Sequence, residues 1–372
     1  MKKTKVLVVF GTRPEAVKMA PIVKALDKDD NFISKICVTA QHRDMLDQVL
    51  RIFDIHPDYD LNIFQSGQTL TQITCRALTG LEDVINEFEP DLILVQGDTT
   101  TVFTGALAAF YHQVKIGHVE AGLRSKNLYS PYPEEANRML TGVLTDFHFA
   151  PTINSKQNLL REGYDENKIY ITGNTSIDAL QWVIDKNYKF DNEVINNIDF
   201  ENKRVILLTS HRRENIGEPM ENIFSAVRDI TNENENVEVI YPMHLNPKVR
   251  EIANRILGNI DRVHLIEPLD YLPFTNLMSK CYLVVTDSGG IQEEAPSLGK
   301  PVLVVRKETE RPEGIEAGTA KLAGVDKHNI YKYLDVLINN DDEYKKMAYA
   351  VNPYGDGKAA MYIVDAIRKN ML

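Results

Sequence analysis

The sequence predicts an α/β protein of two domains, each a parallel sheet with helices packed on it. Three observations carry this. Short β-branched apolar runs alternate with longer stretches of helical period, which is the rhythm of βαβ units. That rhythm stops once, at 187–203, and then restarts. The length, 372 residues, exceeds one average domain of about 100 to 200.

Taken in order, Lys5 to Phe10, Ile33 to Thr39, Leu92 to Gln96, Lys115 to Val119 and Lys168 to Ile171 are the expected strands of the first half. Helical segments such as Pro14 to Leu26 and Thr99 to Tyr111 separate them. Asn187 to Lys203 is rich in Asn, Asp and Glu and poor in apolar anchors, and reads as a linker or domain-edge excursion. Strands then follow at Arg204 to Leu208, Val237 to Tyr241, Val263 to Ile266, Tyr282 to Thr286 and Pro301 to Val305, with helices around Lys327 to Leu337 and Lys358 to Ile367. The first domain is placed at 1–175 and the second at 176–357. The halves open alike: Lys5 to Glu15 can be laid beside Arg204 to Glu214, with Arg13 over Arg212 and Glu15 over Glu214.

Composition narrows the partners. Lys and Arg number 42 and Asp and Glu 53, so the formal charge is 42 − 53 = −11, which argues against nucleic acid or an anionic lipid surface. An anionic ligand then needs a local basic pocket. Apolar residues make up 43% and charged residues 26%, as in soluble globular proteins. The apolar run Val6 to Phe10 is far short of the about 18 residues of a membrane span, and no signal-peptide pattern accompanies it. Cys37, Cys75 and Cys281 are far apart, with no zinc-type spacing, which suits a reducing cytoplasm and no metal.

In open α/β sheets ligands bind outside the carboxyl ends of strands, so two such domains are expected to face a ligand across a cleft. The polar residues just after each strand are the candidates. Gly11-Thr-Arg-Pro-Glu-Ala-Val-Lys18 follows the first strand, with Pro14 suited to a first helical turn and Arg13 and Lys18 beside it. A helix start binds anions, and cations next to it add charge-assisted contacts. The segment is neither a dinucleotide fingerprint nor a Walker loop.

Asp98 in Gln-Gly-Asp-Thr-Thr-Thr, Glu120 in His-Val-Glu-Ala-Gly-Leu-Arg and Glu134 in Pro-Glu-Glu-Ala-Asn-Arg put three carboxylates at neighbouring strand ends or helix starts. Carboxyl groups sharing a pocket push their pKa values apart and supply both acid and base. Each also has an ordinary reading: Asp98 as a helix N-cap, and Glu135 next to Glu134 as a solvated first-turn carboxylate favoured by the dipole. His211, between Ser210 and Arg212, reads as an acid/base or phosphate donor, or as a loop histidine bonded to backbone. His244 ends the next strand. Thr286-Asp-Ser288-Gly289-Gly290-Ile-Gln-Glu293-Glu294 places small residues at a helix start, where amides can approach a phosphate, and Glu294 can accept bonds from a ribose diol. Arg311, after the following strand, completes a basic clamp.

These runs, together with Thr-Ala-Gln-His-Arg at 39 to 43 and Asn-Pro-Tyr-Gly-Asp-Gly at 352 to 357, resemble the bacterial non-hydrolysing UDP-N-acetylglucosamine 2-epimerases through both halves and in order. The resemblance implies a glycosyltransferase-B-type fold of two Rossmann-like domains, usually a homodimer, with the last helix, 358–372, crossing back onto the first domain. It implies reversible conversion of UDP-GlcNAc to UDP-ManNAc for cell-surface polysaccharides, without nicotinamide or metal. By matching motif, Asp98, Glu120 and Glu134 are the catalytic carboxylates with His211 close by. Arg13, Lys18, Ser288, Gly289, Gly290, Glu294 and Arg311 hold UDP. In some members a second UDP-GlcNAc acts as an activator beside the active site, and Gln41, Arg212 and His244 match residues expected there.

The chemistry implied by the resemblance asks for these residue types. The proton on C2 is hardly acidic, so UDP leaves C1 first and the C2 proton is then lost, giving 2-acetamidoglucal. Arg, Lys, Ser-Gly-Gly amides and a helix dipole stabilise the departing diphosphate. Inversion requires acid/base groups on two sides of the ring. A UDP-sugar glycosyltransferase of the same architecture, a hydrolysing epimerase releasing ManNAc and UDP, and a catalytically dead nucleotide-sugar sensor are the rival readings; the three carboxylates count against the last.

Overall fold

The computed structural model describes residues 3–40 and 43–372. The chain up to Trp182, joined by Tyr354–Leu372, forms one compact unit, and Val183–Pro353 forms a second. In the first, β1 (Thr4–Phe10), β2 (Phe32–Val38), β3 (Tyr59–Asp60), β4 (Leu92–Gln96), β5 (Lys115–Val119), β6 (Phe147–Ala150) and β7 (Ile169–Ile171) make a sheet of order β3-β2-β1-β4-β5-β6-β7. In the second, β8 (Arg204–Thr209), β9 (Val237–Pro242), β10 (Val263–Ile266), β11 (Leu283–Thr286), β12 (Val302–Val304) and β13 (Ala320–Leu322) take the order β10-β9-β8-β11-β12-β13. Every pairing is parallel. The protein is therefore α/β, with two Rossmann-like sheets and interleaved helices.

The central strands are covered on both faces, which is why they read as continuous apolar runs rather than alternating ones: Val6 to Phe10 and Leu92 to Val95 are wholly buried. Both sheets reverse direction of growth once, between β1 and β4 and between β8 and β11. A doubly wound sheet opens its ligand crevice at the carboxyl ends of such a pair. In the first unit this sets Gly11–Arg13 beside Gly97–Asp98. In the second it sets Ser210–Arg212 beside Asp287–Ser288.

The units divide at Val183, beyond the expected 175/176, because the helix Thr175–Val183 is tied into the first unit. The amide of Asn174 donates to the Tyr354 carbonyl at 2.7 Å. The Asp178 carboxylate accepts from the amides of Ala359 and Ala360 at 3.1 and 2.9 Å, satisfying the start of the last helix, Ala359–Met371. That helix packs on the helix Arg13–Asp27 through buried Ile363, Val364 and Ile367, and Arg368 pairs with Asp29 at 2.6 Å. Residues 187–203 belong to the second unit and bury Phe190 and Ile195 around the short helix Glu193–Asn196. Among the described residues no helix is long and apolar enough to cross a membrane.

Candidate active site

At the end of β1, Glu15 turns back under its own helix start. Its Oε2 accepts from the amides of Gly11 (2.9 Å) and Thr12 (2.7 Å), and its Oε1 from the Thr99 hydroxyl (2.6 Å). Burial pushes this carboxyl above the ordinary glutamate value against those hydrogen bonds. A side chain at position 11 would meet the Thr39 and Thr101 hydroxyls at 2.0 and 2.6 Å, so only glycine fits there. Arg13 opens the helix that follows, partly exposed.

Asp98 does not cap the next helix. Thr99 does, accepting from the Val102 amide, while the Asp98 carboxylate takes Arg138 Nη2 at 2.7 Å and Nε at 3.0 Å. Asn137 Nδ2 donates to the Asp98 carbonyl at 2.9 Å. Arg138 also binds Glu135 at 2.7 Å, which corrects the reading of Glu135 as a solvated carboxylate. Glu135 is fully buried because its helix start faces the loop before it: Oε1 accepts from the amides of Ser125 and Lys126 at 3.0 and 2.9 Å. Burial raises its pKa, yet these bonds and Arg138 outweigh that and hold it below the ordinary value. Its neighbour Glu134 has one oxygen shut off from solvent that makes no hydrogen bond among the described residues.

Glu120 sits just past β5 with φ +63°, a left-handed conformation unusual outside glycine. Its Oε1 lies 2.5 Å from the Lys18 ammonium and 3.2 Å from Asn174 Nδ2, and its Oε2 accepts from Gln96 Nε2. Lys18, expected among the diphosphate contacts, is thus placed on a carboxylate. Two residues earlier, the buried His118 donates from Nε2 to the Gly97 carbonyl at 2.7 Å, and burial pulls its pKa down to about 4, so the ring is neutral.

In the second unit the helix Gly289–Ser297 starts from Ser288, whose hydroxyl does not cap it. A methyl group on Gly289 would stand 4.0 Å from Nη2 of both Arg212 and Arg311, and one on Gly290 would stand 3.9 Å from Glu294 Oε1. The structure so gathers Ser288, Gly289, Gly290, Glu294 and Arg311, and adds Arg212, read from sequence as an activator contact. Arg311 is also paired with buried Glu293. The His211 side chain is 42% exposed, with its ring stacked on His244 at 5.3 Å and 10°, and its Nδ1 3.7 Å from Asp287 Oδ1. Burial, then Asp287 acting in the opposite sense, set its pKa below the ordinary histidine value. His244 is exposed and accepts on Nδ1 from the Asn246 amide at 3.1 Å. Gln41 lies outside the described residues.

The internal likeness of the two halves does not extend to their glutamates. Glu214 pairs with Arg306 at 2.9 Å; the turn after β8 is held instead by Asp287, which does for it what Glu15 does after β1. Among the described residues no group of three or more His, Cys, Asp and Glu is placed to hold a metal ion.

A family model described as UDP-N-acetylglucosamine 2-epimerase matches residues 24–368. The chain belongs to the UDP-N-acetylglucosamine 2-epimerase family. It is 57% identical over 367 residues to the UDP-N-acetylglucosamine 2-epimerase of Bacillus subtilis, covering 99% of this chain and 96% of that one. It is 56% identical over 373 residues to that of Escherichia coli K12, covering 99% of both. Its fold matches the crystal structure of the Neisseria meningitidis UDP-GlcNAc 2-epimerase bound to UDP-GlcNAc with TM-score 0.87 at 51% identity, over 99% and 100% of the two chains. What the sequence reading of this epimerase-family chain did not single out are Arg138, Asn174, His118 and Asp287. The Asp before Ser-Gly-Gly, the Arg closing Pro-Glu-Glu-Ala-Asn-Arg and the His opening His-Val-Glu-Ala-Gly-Leu-Arg were visible signals; Asn174 had none.

Proposed function

We propose that the chain interconverts UDP-GlcNAc and UDP-ManNAc without hydrolysis, expelling UDP to form 2-acetamidoglucal and adding it back after C2 is reprotonated. The observation that supports this most is the trio of carboxylates in one unit, each in a different setting: Asp98 on a guanidinium, Glu120 on an ammonium, Glu134 with an oxygen that makes no hydrogen bond among the described residues. Groups so differentiated are what removal of a proton from one face and delivery to the other require. His211 is a fourth acid/base group. Arg13, Ser288, the amides of Gly289 and Gly290, and Arg311 hold the diphosphate, Glu294 the ribose, and Arg212 joins them at the helix start.

The chain acts in the cytoplasm, and UDP-ManNAc supplies cell-surface polysaccharide synthesis. It works as a homodimer. Phe110 and Tyr111, on the helix Thr100–Tyr111, and Met139, Leu140 and Val143, on the adjacent helix Glu134–Leu144, are exposed apolar side chains of the kind that oligomer interfaces cover. Light scattering on the purified protein tests this directly, and a monomer would refute it.

Turnover of UDP-GlcNAc in heavy water with no acceptor is the deciding experiment. UDP-ManNAc carrying deuterium at C2 is the expected product. Free ManNAc would instead mark a hydrolysing enzyme, and no reaction without an acceptor a transferase. Asp98→Asn, Glu120→Gln and Glu134→Gln should each lower turnover by about 10² to 10⁴ while UDP still binds. Retention of the original hydrogen at C2, or near-normal turnover in all three, refutes the assignment.

A further inference from the structure

Asp287 was not among the residues that the motifs assigned to the site, yet its two carboxylate oxygens are used very differently. It is wholly buried at the end of β11. Its Oδ2 accepts four hydrogen bonds, from the Ser210 hydroxyl (3.0 Å), the amides of His211 and Arg212 (both 2.9 Å) and Asn215 Nδ2 (3.1 Å). Its Oδ1 makes none among the described residues and lies 3.7 Å from Nδ1 of His211. One oxygen is given over to shaping the turn, and the imidazole stands 3.7 Å from the other.

We propose that Asp287 is a positioning residue that sets the tautomer and orientation of His211. This rests on the reading of His211 as an acid/base group. A buried carboxylate oxygen needs a donor, and the imidazole is the group beside it that can supply one. A proton held on Nδ1 toward Asp287 leaves the Nε2 lone pair to exchange a proton with the sugar. A small turn of the ring closes the 3.7 Å gap, as catalytic hydrogen bonds often tighten when substrate binds. The other charged and titratable groups at the ring are His244, from the end of β9, and Arg212, next in the chain. Neither can replace the carboxylate: Arg212 only donates, and His244 has its Nδ1 engaged by Asn246.

The substitution Asp287→Asn has a definite consequence. The four donors demand an acceptor, so the amide oxygen must take the place of Oδ2. The NH2 is then forced toward His211, where Nδ1 must become the acceptor and the proton moves to Nε2. The tautomer inverts while the turn stays intact.

The test uses the full-length protein. Nitrogen-15 NMR of the histidine side chains should show His211 protonated at Nδ1 in the wild type and at Nε2 in D287N. Turnover should fall about 10²-fold or more, with KM and UDP affinity within about twofold, and the limb of the pH profile due to His211 should move to lower pH. In the H211N background, adding D287N should cost almost nothing further. An unchanged tautomer, or a loss as large in H211N as in the wild type, overturns the proposal. If D287N does not fold, the wild-type tautomer decides: an Nε2 proton overturns the proposal and an Nδ1 proton supports it. Near-normal turnover in H211N is a different failure, since it removes His211 from the chemistry and takes the proposal with it.

Discussion

Replacing Glu15 separates its two jobs, because alanine and glutamine fail differently. Alanine leaves the buried amides of Gly11 and Thr12 without acceptors. A buried donor left unsatisfied costs about 1–3 kcal/mol, so the pair amounts to about 2–6 kcal/mol. Glutamine keeps one oxygen, enough for both amides, and its NH2 faces the Thr99 hydroxyl, which turns to accept. Its stability should stay within about 1 kcal/mol of wild type. The charge adds a pH signature. Glu15 has its folded pKa raised above 4.5 by burial, so between that value and the folded one the native chain holds more protons than the unfolded chain. Stability therefore falls as pH rises across this window and stays lowered above it. Glutamine has no such slope, and the stability of E15Q relative to wild type should climb through the window and then level off. The sole tryptophan, Trp182, lies in the first unit, so its fluorescence in urea reports the unfolding of the unit that holds Glu15. Alanine as stable as glutamine, or a difference curve that falls with pH, would refute the reasoning.

Three further outcomes are expected. Gly289→Ala places a methyl at ordinary contact, 4.0 Å from both guanidinium groups, so stability should change by no more than about 0.5 kcal/mol. The methyl nonetheless blocks approach to the helix-start amides, and calorimetry should show UDP binding weakened about tenfold, about 1.4 kcal/mol; unchanged affinity would remove these amides from the site. Lys18→Met deprives Glu120 of its ammonium, so turnover should fall about 10²-fold with UDP affinity nearly kept, whereas the reverse pattern would make Lys18 a diphosphate ligand. Ile363→Ala opens a cavity under the last helix and should cost about 2–5 kcal/mol, read by Trp182 fluorescence; an unaltered urea midpoint would show that the helix adds little to the first unit.

The doubly buried strands were legible because their apolar runs are long and β-branched. The short strands β3 (Tyr-Asp), β6 (Phe-His-Phe-Ala) and β13 (Ala-Lys-Leu) hold no β-branched residue and so gave no strand signal, whereas β7 (Ile-Tyr-Ile) and β12 (Val-Leu-Val), no longer than these, did. The local motifs marked the turns at both switch points, since a polar run after an apolar strand is a local signal. Partnerships across the chain left no such trace. Nothing near Asp98 announces Arg138, forty positions on, and nothing near Glu120 announces Lys18, so Asp98 read equally well as a cap. Glu135 was misread for the same reason, because its burial depends on how the loop at 125–126 folds over it.

Because every strand in both sheets runs the same way, the turns that hold the proposed site residues hang from one rim of each sheet, and the opposite rim holds none of them. Gln113, before β5, and Glu235, before β9, are exposed on that far rim. With the exposed Cys75 replaced by serine, either is a place to attach a dye or a surface tether through an introduced cysteine, leaving the rim of the proposed site open to solution in an immobilised enzyme.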